Sequence, residues 1–368
     1  MASGEVGVGL VGSGFIAQLH AEAFSQSPVA SVRAVASRSA DHAAGFAARW
    51  GIPAWHTDYR ELAGRGDVDL VCVAAPNWLH RDIVVAAAEA GKHVICEKPL
   101  ARTLAEADEM IAACRAAGVK LMYAEEICFA PKYARAKELA DEGALGDVYL
   151  VRQTEQHDGP HSDWFWDPEL AGGGVLMDMG CHGIEFARWV LGKPAARSVS
   201  AETGTFVHHQ RTKAEDHAII TVRFEGNRAG LIEVSWAKPG GMEDRAEIAG
   251  SRGVTYADLL RGSSLMTFSD VGYGYAVEKA PDTRGWTFTM FDELWNSGIP
   301  QEMDHFARCV AEDAVPRETG EDGRAVLEII YAAYRAARLG RVTFPFGLTD
   351  EEAAQPPFAQ LDAPPQAR

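Results

Sequence analysis

The sequence predicts an α/β domain with a doubly wound parallel sheet, followed by an α+β domain whose sheet is mainly antiparallel. In residues 1–127, short apolar runs alternate with helical patterns, which is typical of a parallel sheet with helices on both faces. From Asp216 onward, strand patterns follow one another closely, and a Gly-Asn pair between two of them indicates a hairpin. We expect the second domain to cover residues 128–346 and residues 347–368, rich in proline, alanine and acidic residues, to form a mobile tail.

The composition is that of a globular protein with little affinity for polyanions. Hydrophobic residues make up 47% of the 368 residues, and the formal net charge of -17 argues against nonspecific nucleic-acid binding. The sequence has no apolar run long enough to span a bilayer, and its N-terminus lacks the basic region of a signal peptide. None of the six cysteines is in a CxxC pair, so we expect them to be reduced and the protein to be cytoplasmic. We expect no metal, because histidine and cysteine show no zinc-like spacing and His208 and His209 would point different ways on a strand.

The first strand pattern leads into a glycine motif that is typical of nucleotide binding. Residues 6–11 are apolar or glycine, and residues 12–17 have the form GxGxxA and open a helical pattern. Gly12 permits the turn, Gly14 lets the backbone meet a pyrophosphate, and Ala17 allows helix and sheet to pack closely. Because the helix N-terminus adds a positive dipole, we predict dinucleotide binding here, with a plain tight turn as the alternative.

Polar residues at the end of the second strand favour NADP over NAD. An NAD-binding unit usually has an acidic residue there for the ribose 2′-hydroxyl, whereas this chain has Ser37 and Arg38. These two could hold a 2′-phosphate, since a guanidinium matches phosphate geometry. Alternatively, Arg38 stacks on adenine and Asp41 or another group binds the ribose. The sequence leaves both cofactors open.

Two further strand ends should lie at the same edge of the sheet. Pro76-Asn77 follows one buried strand, and Glu97-Lys98-Pro99 follows the next. Ligands of parallel sheets bind beyond the C-terminal ends of the strands, so both turns should face the crevice beside the glycine motif. This places Lys98 beside the expected nicotinamide. The alternative is a solvated loop lysine.

A glycine block in the second domain is a candidate for catalysis. Residues 172–174 are glycines, which allow free turning and close approach to a ligand, and apolar residues at helical spacing follow. On one helix, Asp178 and His182 would share a face, where a carboxylate and an imidazole can serve as a general base. The alternative is a helix N-terminus whose aspartate meets the dipole and whose histidine is a satisfied partner.

The segment before this block is dense in imidazoles, indoles and carboxylates. It contains His157, His161, Trp164 and Trp166. Sugars have apolar C–H faces and polar rims, so such residues suit a carbohydrate site. For the tryptophans, the alternative is that both fill the core beneath the following helix.

Together these motifs resemble the Gfo/Idh/MocA oxidoreductases, a family named for glucose-fructose oxidoreductase and inositol dehydrogenase. The resemblance covers residues 6–346 and rests on GxGxxA, Ala75-Pro76-Asn77-Trp78-Leu79-His80, Glu97-Lys98-Pro99 and the Gly-Gly-Gly-x-x-x-Asp-x-Gly-x-His block. It implies a Rossmann domain, a second domain with a large, open, mainly antiparallel sheet, a nicotinamide cofactor (NAD or NADP), and a sugar, polyol or glycoside substrate.

The resemblance also implies roles for individual residues. The implied catalytic residues are Lys98, Asp178 and His182. The implied cofactor contacts are Gly12, Gly14, Phe15, Ile16, Ser37, Arg38, Pro76, Asn77, His80, Glu97 and Lys98. The candidate substrate contacts are Glu125, His157, His161, Trp164, Trp166, Asp178 and His182. One departure matters, because Glu125 and Glu126 replace the polar and basic residues that many family members have near the rim of the active site.

Three functions remain under consideration. The first is a dehydrogenase that moves a hydride between the nicotinamide and a hydroxyl carbon, plausibly C3 of a sugar. The second is a redox-neutral glycosidase: C3 of the sugar is oxidised transiently, the C1 group is eliminated, water adds, and the bound reduced cofactor then re-reduces C3. The third is a sugar sensor without catalysis, against which the presence of Lys98, Asp178 and His182 argues. We also expect a homodimer or homotetramer formed through an open face of the second sheet.

Overall fold

The structure, a computed structural model, describes residues 5–260, 265–269, 285–289 and 293–359. Of residues 265–269 and 285–289 it describes the backbone path only. The chain divides into two units. The first comprises residues 1–129 and 298–325, and the second comprises residues 130–297 and 326–368.

A parallel sheet of six strands forms the centre of the first unit. Its strands are β1 (Val6–Val11), β2 (Ala30–Ala36), β3 (Ala54–His56), β4 (Leu70–Val73), β5 (His93–Glu97) and β6 (Leu121–Ala124). The helices between them are α1 (Phe15–Ser25), α2 (Ala40–Trp50), α3 (Tyr59–Ala63), α4 (His80–Glu89) and α5 (Leu104–Ala117). The strand order is β3-β2-β1-β4-β5-β6, with every pair parallel. This confirms the predicted Rossmann sheet, in which β1, β4 and β6 are buried along their whole length because both faces are covered.

The second unit is built on a mixed sheet of six strands. They are β7 (Val148–Gln156), β8 (Ala196–Gly204), β9 (His217–Phe224), β10 (Arg228–Ser235), β11 (Glu243–Gly250) and β12 (Val254–Asp258). The order is β12-β11-β7-β10-β9-β8, in which β7 and β10 are parallel and the other pairs are antiparallel. Two further strands, β13 (Leu265–Ser269) and β14 (Gly285–Thr289), form a separate antiparallel pair. The predicted mainly antiparallel sheet is thereby confirmed.

Helices complete the architecture. They are α6 (Pro131–Asp141), α7 (Pro168–Ala171), α8 (Val175–Asp178), α9 (Gly180–Val190), α10 (Glu293–Ser297), α11 (Ile299–Ala311), α12 (Gly320–Leu339) and α13 (Asp350–Ala353). Helix α9 packs against β7 and β10. In β10, Ile232 and Val234 are completely buried while Leu231 and Glu233 are half-buried. None of the helices in the described residues is long and apolar enough to cross a membrane.

The expected domain boundaries require a correction, because residues 298–325 belong to the first unit. Helix α11 packs against α1, and the Ser27 hydroxyl donates to the Asp304 carboxylate over 3.0 Å. Further on, the Tyr123 N–H donates to the Glu318 carbonyl over 3.2 Å, at the edge strand β6. The first of these hydrogen bonds joins positions 277 apart, so no local pattern indicates it. The first segment of the unit runs to residue 129 rather than 127.

The segment expected to be a mobile tail is ordered through residue 359. Thr349 and Glu352 form a capping box that opens α13. The Tyr331 hydroxyl donates to the Gln355 carbonyl, and Phe358 is buried, so side chains of this segment pack within the second unit. Residues 360–368 lie outside the described residues.

Candidate active site

The two glycines of the GxGxxA turn serve different purposes. Gly12 has φ +126, and a Cβ there would lie 2.2 Å from the Ala74 carbonyl oxygen, so no other residue fits. Around Gly14, by contrast, a Cβ would meet no described atom within 4 Å, and no described side chain caps the N-terminus of α1. The first turn of α1 also contains no acidic residue. A pyrophosphate therefore fits beside Gly14, Phe15 and Ile16, where it would meet the positive end of the helix dipole.

Ser37 and Arg38, which the sequence predicts to contact the ribose or its 2′-phosphate, follow β2 beside this turn. The Ser37 and Ser13 hydroxyl oxygens are 2.8 Å apart, which ties the end of β2 to the glycine turn. Arg38 is exposed, as is Asp41 in the first turn of α2. The pair thus presents a hydroxyl and a guanidinium on the surface at the C-terminal end of β2.

His80 is placed as a link between two loops. Its ring is completely buried, with Nε2 2.8 Å from the Ala75 carbonyl oxygen and Nδ1 3.1 Å from that of Pro99. Burial lowers the pKa of His80. The residue therefore joins the turn with Pro76 and Asn77 to the turn with Lys98.

Glu97 stabilises the turn that contains Lys98 by accepting a hydrogen bond from its backbone. Its Oε1 lies 2.8 Å from Nε2 of His20, and its Oε2 accepts the Lys98 backbone N–H over 3.1 Å. Burial alone would raise the pKa of Glu97, but the hydrogen bond and charge of His20 hold this pKa below its usual range. The other ring nitrogen of His20 lies 3.2 Å from the Cys72 sulfur. A single histidine within α1 carries no local signal, so the sequence did not indicate the role of His20.

Glu125, which the sequence places near the rim of the active site, is completely buried. It follows β6, and the Tyr123 hydroxyl donates to its Oε2 over 3.0 Å. Burial raises the pKa of Glu125 to about 8, against the opposing effects of the Lys98 charge and the Tyr123 hydrogen bond. The side chain is therefore an uncharged carboxylic acid near neutral pH.

Packing explains the glycine block of the second unit, which the sequence analysis had attributed to free turning and ligand approach. A Cβ on Gly173 would lie 2.3 Å from the Tyr334 hydroxyl oxygen. A Cβ on Gly174 would lie 2.2 Å from the Glu215 carbonyl oxygen. Gly172 has φ +94 and ends α7. Two of the three glycines are thus required because a buried acid and a buried phenol occupy the space of their side chains.

Glu215 and Tyr334 together hold the start of α8. The Leu176 N–H donates to Glu215 Oε1 over 2.9 Å, and the Tyr334 hydroxyl donates to the same oxygen over 2.8 Å. The Gly174 N–H donates to the Tyr334 oxygen over 3.1 Å. Burial raises the pKa of Glu215 to about 7, although these hydrogen bonds act in the opposite direction. The sequence did not indicate that these two residues, 119 positions apart, form a pair.

Asp178 and His182 do not share one continuous helix, contrary to the prediction. Asp178 ends α8, His182 lies in the first turn of α9, and Met179 between them has φ -111 and ψ -27. Helix α9 packs closely on the sheet, where a Cβ on Gly183 would lie 2.6 Å from an Ile232 methyl carbon. Both side chains are almost completely buried.

Each member of this pair lies near a partner that the sequence did not indicate. The Trp236 indole N–H donates to Asp178 Oδ2 over 3.1 Å. Asp244 on β11 accepts hydrogen bonds from the Tyr133 hydroxyl and, over 3.1 Å, from the Gln153 amide. Burial raises the pKa of Asp244 to about 6, opposed by the Tyr133 hydrogen bond and by the charge of His182. Asp178 and Asp244 thus accept hydrogen bonds from different side chains of the second unit.

The imidazole- and indole-rich segment forms an aromatic cluster. The ring centroids of Trp166 and Trp236 are 5.4 Å apart, and those of His157 and His161 are also 5.4 Å apart. His157 is buried and His161 is exposed, while Trp164 and Trp166 are half-buried. The tryptophans therefore keep part of their ring surface accessible, which a purely core position would not allow.

Comparisons with known proteins match both units. Residues 6–125 match the family described as an oxidoreductase family with an NAD-binding Rossmann fold, and residues 133–256 match the GFO/IDH/MocA C-terminal domain. A myo-inositol 2-dehydrogenase of Thermotoga maritima is 28% identical over 331 residues, which cover 89% of this chain and 95% of that protein. The crystal structure of GenD2 from gentamicin A biosynthesis, in complex with NAD, is similar with a TM-score of 0.86 and 34% identity, covering 94% of this chain and 97% of that one. A levoglucosan dehydrogenase in complex with NADH and L-sorbose has a TM-score of 0.79 and 26% identity, covering 94% of this chain and all 100% of that one.

Proposed function

The chain belongs to the GFO/IDH/MocA family of oxidoreductases, and from this we propose that it is an NAD(P)-dependent dehydrogenase of a sugar, polyol or glycoside. The observation that carries the proposal is the buried Asp178, held by an indole N–H and followed by His182 on the next helix. The names of the relatives support the substrate class, since they include a myo-inositol dehydrogenase and a levoglucosan dehydrogenase. We take C3 of a sugar as the candidate carbon.

Three residues carry the proposed chemistry. His182 takes the proton of the reacting hydroxyl as general base. Lys98 donates a hydrogen bond to the same oxygen and stabilises its developing negative charge. Asp178 binds a neighbouring hydroxyl of the substrate or orients the imidazole. When bound, the nicotinamide supplies the hydride chemistry.

Binding of the two ligands involves different residues. We propose that the turn at Gly12 and Gly14 holds the pyrophosphate, with Pro76 and Asn77 beside the nicotinamide half. On the substrate side, the half-buried rings of Trp164 and Trp166 suit the apolar face of a sugar, and His157 and His161 suit its hydroxyl groups. Glu125 contributes an uncharged acid rather than a charged contact.

The choice between NAD and NADP rests on the pair at the end of β2. Ser37 and Arg38 offer a hydroxyl and an exposed guanidinium, which are suited to a 2′-phosphate. The two solved relatives described above contain NAD and NADH. We propose that the protein accepts NADP and that Arg38 determines how well it does so relative to NAD.

The test is a parallel assay with NAD+ and NADP+ on inositols, free sugars and glycosides, recording nicotinamide reduction. Lys98→Ala and His182→Ala should each abolish turnover while leaving cofactor binding, measured by calorimetry, largely intact. Lys92→Ala is a matched control, because Lys92 precedes β5 whereas Lys98 follows it. Wild-type rates in the Lys98 or His182 variant would exclude the proposed roles.

The burial of Glu125 favours a second candidate, the redox-neutral glycosidase. That reaction needs an acid for the departing C1 group, and a carboxyl with a pKa of about 8 holds a proton at neutral pH. In the same assay, release of the aglycone without net reduction of the cofactor would identify it. Net reduction with an intact glycoside identifies the dehydrogenase. No turnover and no aglycone release with any compound would favour a sugar sensor.

We further propose a cytoplasmic homodimer or homotetramer. All six cysteines lie within the described part of the chain, are buried and form no disulfide, which suits a reducing compartment. The sheet face opposite α9 exposes apolar side chains at Ile219 and Tyr256, which a second copy could cover. Light scattering coupled to size exclusion tests this, and Ile219→Arg should lower the oligomeric state.

A further inference from the structure

We propose that Trp236 is a positioning residue, whose indole N–H orients the Asp178 carboxylate for its action on the substrate. The inference rests on the proposed function in so far as Asp178 meets a substrate hydroxyl. Nε1 of Trp236 donates to Oδ2 of Asp178 over 3.1 Å. Trp236 is 0% exposed and Asp178 is 4% exposed, so bulk water does not replace this hydrogen bond.

The backbone of Trp236 is held on both sides. It follows directly after β10, and its N–H donates to the Asp216 carbonyl over 2.8 Å. Its own carbonyl accepts the Gly159 N–H over 2.9 Å and faces Nε2 of His208, also at 2.9 Å. The loop that carries His208 is anchored in turn, because the Asp216 carboxylate accepts three consecutive backbone N–H groups at 2.8 Å each. The Cα of Trp236 therefore has a well-defined position.

The indole ring is also held in place. Trp166 contacts it edge-on with the centroids 5.4 Å apart, and Phe165 does so at 6.5 Å. A tryptophan has two side-chain torsions, and packing from these two rings restricts both. The direction of the indole N–H is consequently set by the fold before any ligand binds, which is the preorganisation that an oriented carboxylate requires.

Asp178, the acceptor of this hydrogen bond, also lies in a supported segment. Asp178 is the last residue of α8, and Glu215 and Tyr334 hold the start of that helix. The donor and the acceptor therefore come from two separately supported segments, 58 positions apart. Hydrogen bonds to a charged acceptor are strong and directional, so loss of the donor would let the carboxylate rotate away from its working orientation.

Kinetics of Trp236→Phe provide the first arm of the test, because phenylalanine keeps an aromatic ring and removes the N–H. We expect kcat to fall about ten- to hundredfold, because a hydrogen bond to a charged group usually contributes about that much. KM should change less than about threefold. Trp189→Phe is the matched control. Trp189 lies on α9 beside Phe186, with the ring centroids 6.2 Å apart, and has no part in the proposed site.

Nuclear magnetic resonance of the indole groups provides the second arm and needs no activity. With tryptophan labelled by nitrogen-15, Trp236→Phe identifies the Trp236 signal by its disappearance. We expect that signal to lie downfield, to exchange slowly with solvent and to move upfield in Asp178→Asn, which removes the charge of the acceptor. In Trp189→Phe the Trp236 signal should stay in place.

The outcomes separate this inference from the proposed function. A Trp236 signal that Asp178→Asn does not move, or a kcat for Trp236→Phe equal to that of Trp189→Phe, would overturn the positioning role. If the wild type turns over no sugar or polyol, the proposed function fails, and the indole signal alone then decides whether Trp236 orients Asp178. A loss of kcat together with a shifted signal supports both.

Discussion

Replacing Glu215 by glutamine should remove a pH dependence from the stability of the second unit. Glu215 is buried, and its Oε1 accepts from the Leu176 N–H and the Tyr334 hydroxyl. Its Oε2 has no hydrogen-bond partner among the described residues. Glutamine keeps the shape and the Oε1 acceptor but cannot ionise. The substitution therefore isolates the effect of the buried charge.

The magnitude follows from the two pKa values of Glu215. Burial raises the pKa in the folded protein to about 7, from an ordinary value of 4.5. Between these values the folded state retains the proton while the unfolded state loses it, so the free energy of unfolding falls as the pH rises from 4.5 to 7. At about 1.4 kcal/mol for each pH unit, the wild type should lose about 3 kcal/mol across this range. The contribution is fully present below pH 4.5 and absent above pH 7.

Urea unfolding at pH 5 and pH 8, followed by tryptophan fluorescence, measures the effect. The loss of stability between these pH values should be about 2–3 kcal/mol smaller in Glu215→Gln than in the wild type. Because Glu125 and Asp244 also have raised pKa values, only the difference between the variants is informative. Glu202→Gln, an exposed residue of β8, controls for the loss of one carboxylate. An unchanged pH dependence in Glu215→Gln would refute the reasoning.

Two further predictions concern the glycines and the cofactor. Gly174→Ala should destabilise the protein by about 3 kcal/mol or prevent folding, because its Cβ would lie 2.2 Å from a carbonyl oxygen; Gly14→Ala has open space and should change the free energy of unfolding by less than about 1 kcal/mol. Equal losses in thermal or urea unfolding would show that the glycine block tolerates side chains. Arg38→Ala should lower kcat/KM for NADP+ at least about tenfold and that for NAD+ less than about threefold. Equal effects on both cofactors would leave Arg38 without a role in selecting between them.

Local signals account for what the sequence predicted well. A strand, a glycine turn and a helix occupy adjacent positions, so a nucleotide-binding fold could be predicted from one short stretch. The alternation of strands and helices likewise predicted the parallel sheet, because each βαβ unit is continuous in sequence. These features depend on neighbours along the chain, and the sequence displays such neighbours directly.

The tertiary structure decided everything that depends on residues brought together from distant positions. Trp236 donates to Asp178 across 58 positions, and Tyr334 reaches Glu215 across 119. The sequence showed that residues 172–174 are glycines, but only the packing of a buried acid and phenol against Gly173 and Gly174 explains them. The sequence also did not indicate that residues 298–325 belong to the first unit. Periodicity and turn residues report local backbone geometry, whereas burial, pKa and hydrogen-bond partners arise only when the folded chain excludes water from contacts between distant segments.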